Sequence, residues 1–561
     1  MVGKSAARLH AARYLKLLPG DARLPESVEV LDTTLRDGAQ ARGVSFSLQA
    51  KVRIALELDR LGVAFIEAGW PGSNPKDAEV FRVLRDYSLE NAEIVAFTST
   101  RRKGVRPQDD PLLSRVLDAG TRWVTVFGKA WTLHVREVLR ASPEENLDMV
   151  YDTVRYLREH GVRVIFDAEH FFDGYLEDPD YALSVLRAAE EAGAERLVLA
   201  DTNGGTPPHV VYQVVREVRG RVKTPLGLHM HNDCGCAVAN TLIGVAAGAS
   251  HVQATVNGIG ERTGNADLCQ VVPGLELKLG VRALRNPEGL RLLRSVSRLV
   301  YELAGLKPNP YQPYVGDNAF AHKAGVHVDA VLKTPRAYEH IDPGLVGNER
   351  RLTVSELSGA ANLAAWARSE LGLELDKRDP RLRRALERVK QLENSGYSFD
   401  NAPASALLIL AEELGLREEA FRLEAWRVVS EGGPRGSRSW ALVKLSTGAA
   451  EALAAGEGGG PVHAVDEALR AALEKLLPGT PGNVRLIDYR VTLPGEARHT
   501  ASKVRVEVTL TDGSRAWTTV AVSDNIVEAS LDALIQGVEY YLLLRRLAQG
   551  KRSPESRPTP A

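Results

Sequence analysis

Residues 163–203, RVIFDAEHFFDGYLEDPDYALSVLRAAEEAGAERLVLADTN, decide the fold. A β-rich run, RVIFDAEH, opens the stretch and a second, RLVLADTN, closes it. Between them, Pro179–Ala192 has the apolar spacing of an amphipathic helix and stops at Gly193, the residue type that most readily takes the left-handed conformation closing a helix. The same unit recurs through the first half of the chain, with the runs VEVLDTTL, AFIEAGW, EIVAFTST, RWVTVFG, PLGLHMH and HVQATVNG. Helical patterns fall between them at Gln49–Leu61, Lys76–Arg85, Glu144–Glu159, His209–Val218 and Ala237–Ala247, and Gly62, Gly161 and Gly248 punctuate them as Gly193 does. Eight such alternations over about 250 residues predict an α/β fold, a (β/α)8 TIM barrel, at 28–284. An open doubly wound sheet would gather its ligand contacts at one switch point. Here polar residues stand at the ends of nearly all eight runs.

The chain has 561 residues, more than one hydrophobic core ordinarily serves. An N-terminal extension (1–27) precedes the barrel. After it, 285–420 is rich in Arg-Glu helices such as LRRALERVKQLE and reads as a helical linker subdomain. From 421 to 548 the pattern turns to strands, AFRLEAWRVVS, SWALVKLS, VRLIDYRVTL, KVRVEVTL and RAWTTVAVS, with helices at Ala464–Leu477 and Asn525–Leu547. Strands followed by a helix, twice over, predict a duplicated α+β domain, with GEGGGP between its parts as a loop. The Pro-rich, charged tail at 549–561 is expected to be disordered.

Composition narrows the function. Lys plus Arg number 71 against 72 Asp plus Glu, so the basic excess of a nucleic-acid binder is absent. No long apolar run marks a membrane span. Three cysteines, Cys234, Cys236 and Cys269, form no disulfide framework and no Cys-x-x-Cys pair, which fits a reducing, cytoplasmic setting.

Barrel chemistry gathers at the C-terminal ends of the strands. Those ends carry Arg36, Asp37, Glu67, Thr98, Ser99, Lys129, Glu169, Thr202, His229 and His231, and the loop after the eighth run carries Asn257, Glu261 and Asn265. His229-Met230-His231 is the sharpest signal, because alternate strand residues share a face and both imidazoles point together. Two histidines and a carboxylate make a common divalent-metal set with positions left open for substrate. Asp37 supplies the carboxylate, since the first strand of a barrel neighbours the eighth. Two satisfied core histidines are the bland alternative. A mixed N/O site of this kind would polarise the keto group of a 2-oxo acid, and Arg36 could stabilise the negative charge that develops on it. For Arg36 the alternative is a salt bridge to Asp37, and for Glu67 a structural partnership with Arg36.

LDTTLRDGAQ, HMHND and NGIGERTGN resemble the signatures of the DRE-TIM metallolyases, in the 2-isopropylmalate, homocitrate and citramalate synthase branch. The resemblance continues through AHKAGVH to VDEALRAALEK and SDNIVEASLDALIQGVEYYLL, which are similar to the branch's regulatory domain. AGWPGSNPKD, FDAEHFFDGY and ADTNGG are similar to citramalate synthases, and Asn203 departs from the Val or Leu usual in 2-isopropylmalate enzymes. The resemblance implies acetyl-CoA and pyruvate as substrates, with 2-oxoisovalerate as the alternative acceptor. It implies Mg²⁺, Mn²⁺ or Zn²⁺ on Asp37, His229 and His231, with Asn265 an additional or near ligand. It places Arg36 on the keto oxygen, Thr202 on the 2-oxo acid carboxylate and Glu169 near the acetyl group. His327 and Tyr338 match residues that help deprotonate the acetyl methyl, often from a partner subunit, so a homodimer or larger assembly is implied. The C-terminal domain would sense isoleucine, or leucine. A lyase of the same barrel family and a non-catalytic amino-acid sensor are the other readings; the intact polar set argues against the second.

Overall fold

The structure, a computed structural model, describes residues 14–322, 327, 330, 331, 333–352, 359–434, 436–479, 484–494 and 502–550. The tail from 551 onward lies outside them. The chain divides into two compact units, Met1–Phe320 with Ile341–Glu349, and Ala321–His340 with Arg350–Ala561.

In the first unit, eight parallel strands close into a barrel in sequence order: β1 (Glu29–Asp32), β2 (Phe65–Gly69), β3 (Glu93–Ser99), β4 (Trp123–Lys129), β5 (Arg163–Glu169), β6 (Arg196–Asp201), β7 (Leu226–Met230) and β8 (His251–Ala254). Closure is made by β1 against β8, from Glu29 opposite His251 to Asp32 opposite Ala254, and this removes the open-sheet alternative. The helices that cover the barrel begin by a repeated local device. Asn74, Asp110, Ser142 and Asp178 each accept a backbone N–H two or three residues ahead, and each is followed by proline at the first helical position. Each cap contributes about 1 kcal/mol. At the other ends Gly62, Gly161, Gly193 and Gly248 all carry positive φ, between 78° and 112°.

Alternation along the strands sorts the interior into layers. Leu31, Phe65, Val95, Trp123, Ile165 and Val198 form a separate buried apolar cluster, with Phe65 edge-on to Trp123 at 5.0 Å between ring centres. This plug fills the N-terminal end of the barrel. Two residues further along the strands stand Glu67, Thr125, Asp167 and Gln253, all buried. Polar chemistry thus begins directly above an apolar floor. Past β8 the unit continues into a helix, Leu293–Ala304, which buries Leu293, Val296 and Val300.

The second unit holds a short parallel pair, β9 (Ala321–His322) and β10 (Arg351–Leu352), and helices at Ala360–Trp366, Pro380–Asn394 and Pro403–Glu413. Two antiparallel three-stranded sheets follow. The first is β11 (Arg422–Gly433), β12 (Gly436–Ser446) and β13 (Glu451–Gly458); the second is β14 (Arg485–Thr492), β15 (Val504–Thr511) and β16 (Ala516–Ser523). Helices Pro461–Leu476 and Ile526–Gly550 come after them in turn, so the expected duplication is present. One expectation fails: Gly456, Glu457 and Gly458 of GEGGGP are not loop but the end of β13. A Cβ at Gly456 would stand 2.3 Å from Ala468 N and 2.4 Å from Ala464 O, so glycine is what lets the following helix lie directly on the strand. No helix of the described residues is long and apolar enough to cross a membrane.

Candidate active site

The turn after β1 is built by the motif's own side chains. Asp32 accepts from the Thr34 amide at 2.9 Å and its hydroxyl at 2.8 Å, and Thr34 Oγ1 accepts in turn from Val256 N at 2.8 Å. Burial pushes the Asp32 carboxyl up to about 7, against the lowering pull of these bonds. Asp37 N donates back to Thr33 O at 2.8 Å, which fixes the next two side chains, Arg36 and Asp37, over the barrel. On the far side, an isolated bridge joins His231 to Asn265 and pins the loop after β8 against the end of β7.

These turns bring the predicted ligands together. Asp37 Oδ2 lies 3.3 Å from His229 Nε2 and 3.9 Å from His231 Nε2, and the two ring nitrogens are 3.2 Å apart. All three residues are buried. Asn265 Nδ2 donates to Asp37 Oδ2 at 2.9 Å and is 3.4 Å from His229 Nε2; to serve as a ligand its amide would have to turn over. Burial opposes ionisation of Asp37, but Arg36 beside it and the two histidines hold its carboxyl well below the usual range. Burial alone would lower His229, yet its bond to Asp37 raises it, while burial and the neighbouring His229 push His231 down to about 4.

The donor set fits a divalent cation. Ligands about 2.1 Å from one ion stand roughly 3.0–3.4 Å from each other, close to the spacings here. Moreover Asn265 Oδ1 is buried with no hydrogen-bond partner, an arrangement folded proteins ordinarily avoid. Two imidazole nitrogens converging on a carboxylate oxygen call for a proton or a cation between them, and this cluster could hold a metal ion.

Around this triangle, Arg36 Nε donates to Glu67 Oε2 at 2.6 Å, its guanidinium lies 3.9 Å from the Phe97 ring centre, and its contact with Asp37 is longer, 3.6 Å. Lys129 and Glu169, opposite each other in the β4–β5 register, form an ion pair at the mouth. Thr202 Oγ1 accepts from His170 N at 2.9 Å. Exposure rises outward, from 3% for the Asp37 side chain to 12% for Arg36 and 23% for Glu169, as in a funnel. His327 and Tyr338 belong to the second unit, where their rings lie 4.2 Å apart and Tyr338 is exposed. Beside them Glu339 binds Arg350 through two bonds of 2.6 Å.

Asn257, expected at the mouth, is spent elsewhere. Its Oδ1 accepts from Ser297 at 2.5 Å and Gln312 at 3.1 Å, and its Nδ2 donates to Ser297 O at 3.0 Å, so it fastens the helix Leu293–Ala304. Sequence reasoning also gave no role to four residues: Arg262, Asp233, Gln253 and Asp167. Arg262 grips Asp233 with two bonds of 2.8 Å and Thr202 O at 2.7 Å, tying three loops together. Gln253 accepts from His229 Nδ1 at 2.7 Å and donates to Asp167 Oδ1 at 2.8 Å. Period-two alternation within RVIFDAEH and HVQATVNG places both on the inward face; attention to strand ends alone overlooked them.

Family models agree with this architecture. One described as HMGL-like matches residues 27–300, one described as homocitrate synthase post-HMGL domain-like matches 314–397, and the LeuA allosteric (dimerisation) domain matches 401–542. The chain is 54% identical to an (R)-citramalate synthase of Sulfolobus acidocaldarius, over 94% of this chain and 99% of that one. It is 48% identical to an (R)-citramalate synthase of Synechocystis sp., over 92% and 96%. With a 2-isopropylmalate synthase of Methanocaldococcus jannaschii the identity falls to 33%, over 93% and 96%. The chain belongs to the family of the (R)-citramalate synthases.

Proposed function

We propose that the chain joins the acetyl group of acetyl-CoA to pyruvate and, with water, releases (R)-citramalate and CoA, at the first step of a threonine-independent route to isoleucine. The observation that carries this is the buried Asp37–His229–His231 triangle beside Arg36. The choice of pyruvate over 2-oxoisovalerate is supported by the 54% identity to a citramalate synthase against 33% to a 2-isopropylmalate synthase.

Asp37, His229 and His231, with the Asn265 amide as a further donor once turned, would hold a divalent ion, Mg²⁺, Mn²⁺ or Zn²⁺, which would supply Lewis-acid polarisation of the keto group of the 2-oxo acid. Arg36 stabilises the negative charge that grows on the keto oxygen as the acetyl carbon attacks. The Thr202 hydroxyl, which only accepts from His170, keeps its own proton to donate to the pyruvate carboxylate. Removing a proton from the acetyl methyl needs a placed base. Glu169 serves once it parts from Lys129; His327 and Tyr338, whose rings adjoin in the second unit, are the other candidates.

The residues at 421–548 form the regulatory and dimerising part, with isoleucine as effector and leucine as the alternative, in a cytoplasmic homodimer. We keep 28–284 as the catalytic barrel, 285–420 as the linker that contributes to catalysis, and 1–27 and 549–561 as extensions. The test is thiol release from acetyl-CoA with pyruvate and with 2-oxoisovalerate. A higher kcat/KM for pyruvate is expected; a clear preference for 2-oxoisovalerate overturns the assignment.

A further inference from the structure

Beneath the proposed metal cluster, three buried polar side chains stand in line. His229 Nδ1 meets Gln253 Oε1 at 2.7 Å, and Gln253 Nε2 meets Asp167 Oδ1 at 2.8 Å. Gln253 is 1% exposed and Asp167 6%, and each comes from a different strand. An amide has two ends of opposite hydrogen-bonding sense: the oxygen accepts and the nitrogen donates. An ionised carboxylate can only accept, so in that form Asp167 draws the nitrogen end of Gln253 toward itself. The oxygen end is thereby turned to His229, and only an imidazole carrying its hydrogen on Nδ1 can meet it. In that tautomer the lone pair sits on Nε2, the atom that faces Asp37 and His231.

We propose that Gln253 is a positioning residue, oriented by Asp167, that fixes the tautomer and ring plane of His229 and so prepares it as a metal ligand. This rests on the reading of Asp37, His229 and His231 as the metal-binding set. A metal-bound histidine commonly donates its second ring N–H to a carboxylate or carbonyl, and losing that partner typically costs 10–100-fold in metal affinity. What is particular to this chain is that the acceptor is a reversible amide, whose sense depends on a third residue.

That dependence gives the test. In Asp167→Asn, both partners are amides and either orientation pairs equally well, so Gln253 is free to present its nitrogen to His229 and displace the Nδ1 hydrogen to Nε2. In the exchanged pair, Asp167→Asn with Gln253→Glu, the carboxylate at 253 accepts from both neighbours and the original tautomer returns. Binding of Mn²⁺ to the full chain, followed by the loss of the free-ion paramagnetic resonance signal, should weaken about 10-fold or more in Gln253→Leu and about twofold in Asp167→Asn, where equal pairing leaves half of the molecules in the binding-competent tautomer. The exchanged pair should bind Mn²⁺ as tightly as the unaltered chain, and more tightly than Asp167→Asn. Thermal unfolding of the same samples reports whether each variant folds. Equal Mn²⁺ affinity in the folded single variants, or no recovery in a folded exchanged pair, overturns the inference while leaving the metal site standing. An unaltered chain that takes up no Mn²⁺ overturns the site itself, and this inference with it.

Discussion

Glu67 holds Arg36: Oε2 of the one accepts from Nε of the other at 2.6 Å, at a side chain with no solvent exposure. The arginine beside the candidate metal ligands is therefore oriented from β2, with Phe97 beneath its face, and its chain neighbour Asp37 is the lesser contact.

Removing that support leaves a buried cation without its main partner. Glu67→Ala should lower the stability of the chain by about 3–5 kcal/mol in denaturant unfolding. Arg36→Lys keeps the charge but loses the planar fork. It should fold normally, bind Mn²⁺ as before and turn over about 10²-fold more slowly. An Arg36→Lys variant with full kcat would remove Arg36 from the charge-stabilising role.

Chelation should act on both rate and stability. EDTA is expected to abolish CoA release and lower the thermal midpoint, and added Mn²⁺ to restore both. At an ion concentration about 100 times its dissociation constant, binding stabilises by about 2.7 kcal/mol. His231→Ala should make the midpoint indifferent to Mn²⁺. Thiol release persisting in a chain shown to be metal-free would end the Lewis-acid account.

In the second unit, burial, reinforced by Glu528, pushes the Asp532 carboxyl up to about 6. Folding then favours the protonated form. Between the unfolded value near 4 and the folded value near 6 the native state binds more protons, so this group's contribution falls as pH rises through that window and is flat above it. Because the group is partly solvated, the cost at neutral pH is on the order of 1 kcal/mol. Asp532→Asn should raise the thermal midpoint at pH 8 and leave it nearly unchanged at pH 4. A gain of the same size at both values would show that its ionisation is not the cause.

The barrel and the triangle were legible because they are written in local patterns. Period-two runs, capped helices and closing glycines mark each βα unit, and His229 and His231 share a face by strand alternation alone. What escaped depended on contacts that no local pattern encodes. Gly456 in β13 looks like a loop residue until the backbone of Ala464 and Ala468 is seen against it. Asn257 has the composition of a mouth residue, and only the helix bearing Ser297 shows that its amide is already committed. Gln253 read as one polar residue in a strand, with nothing in the chain to say that Asp167, 86 positions earlier, would complete its pairing.

The last prediction separates the candidate bases. Glu169 stands at the end of β5 in an ion pair with Lys129, whereas His327 and Tyr338 adjoin each other in the second unit. A base that takes the acetyl methyl proton, exchanges it with solvent and hands back a deuteron should let the unaltered chain wash deuterium from heavy water into acetyl-CoA, measurable by mass spectrometry. Glu169→Gln preserves shape and removes the basic oxygen; loss of general-base help typically costs 10²–10⁴-fold in kcat. If Glu169 is the base, Glu169→Gln loses turnover and deuterium exchange together, while His327→Ala and Tyr338→Phe retain exchange. Exchange that survives in Glu169→Gln and disappears in His327→Ala assigns the step to the histidine. Lys129→Met sharpens the comparison: freeing Glu169 from its partner should leave exchange intact if Glu169 acts directly, and loss of exchange there would show that Lys129 is needed to place it.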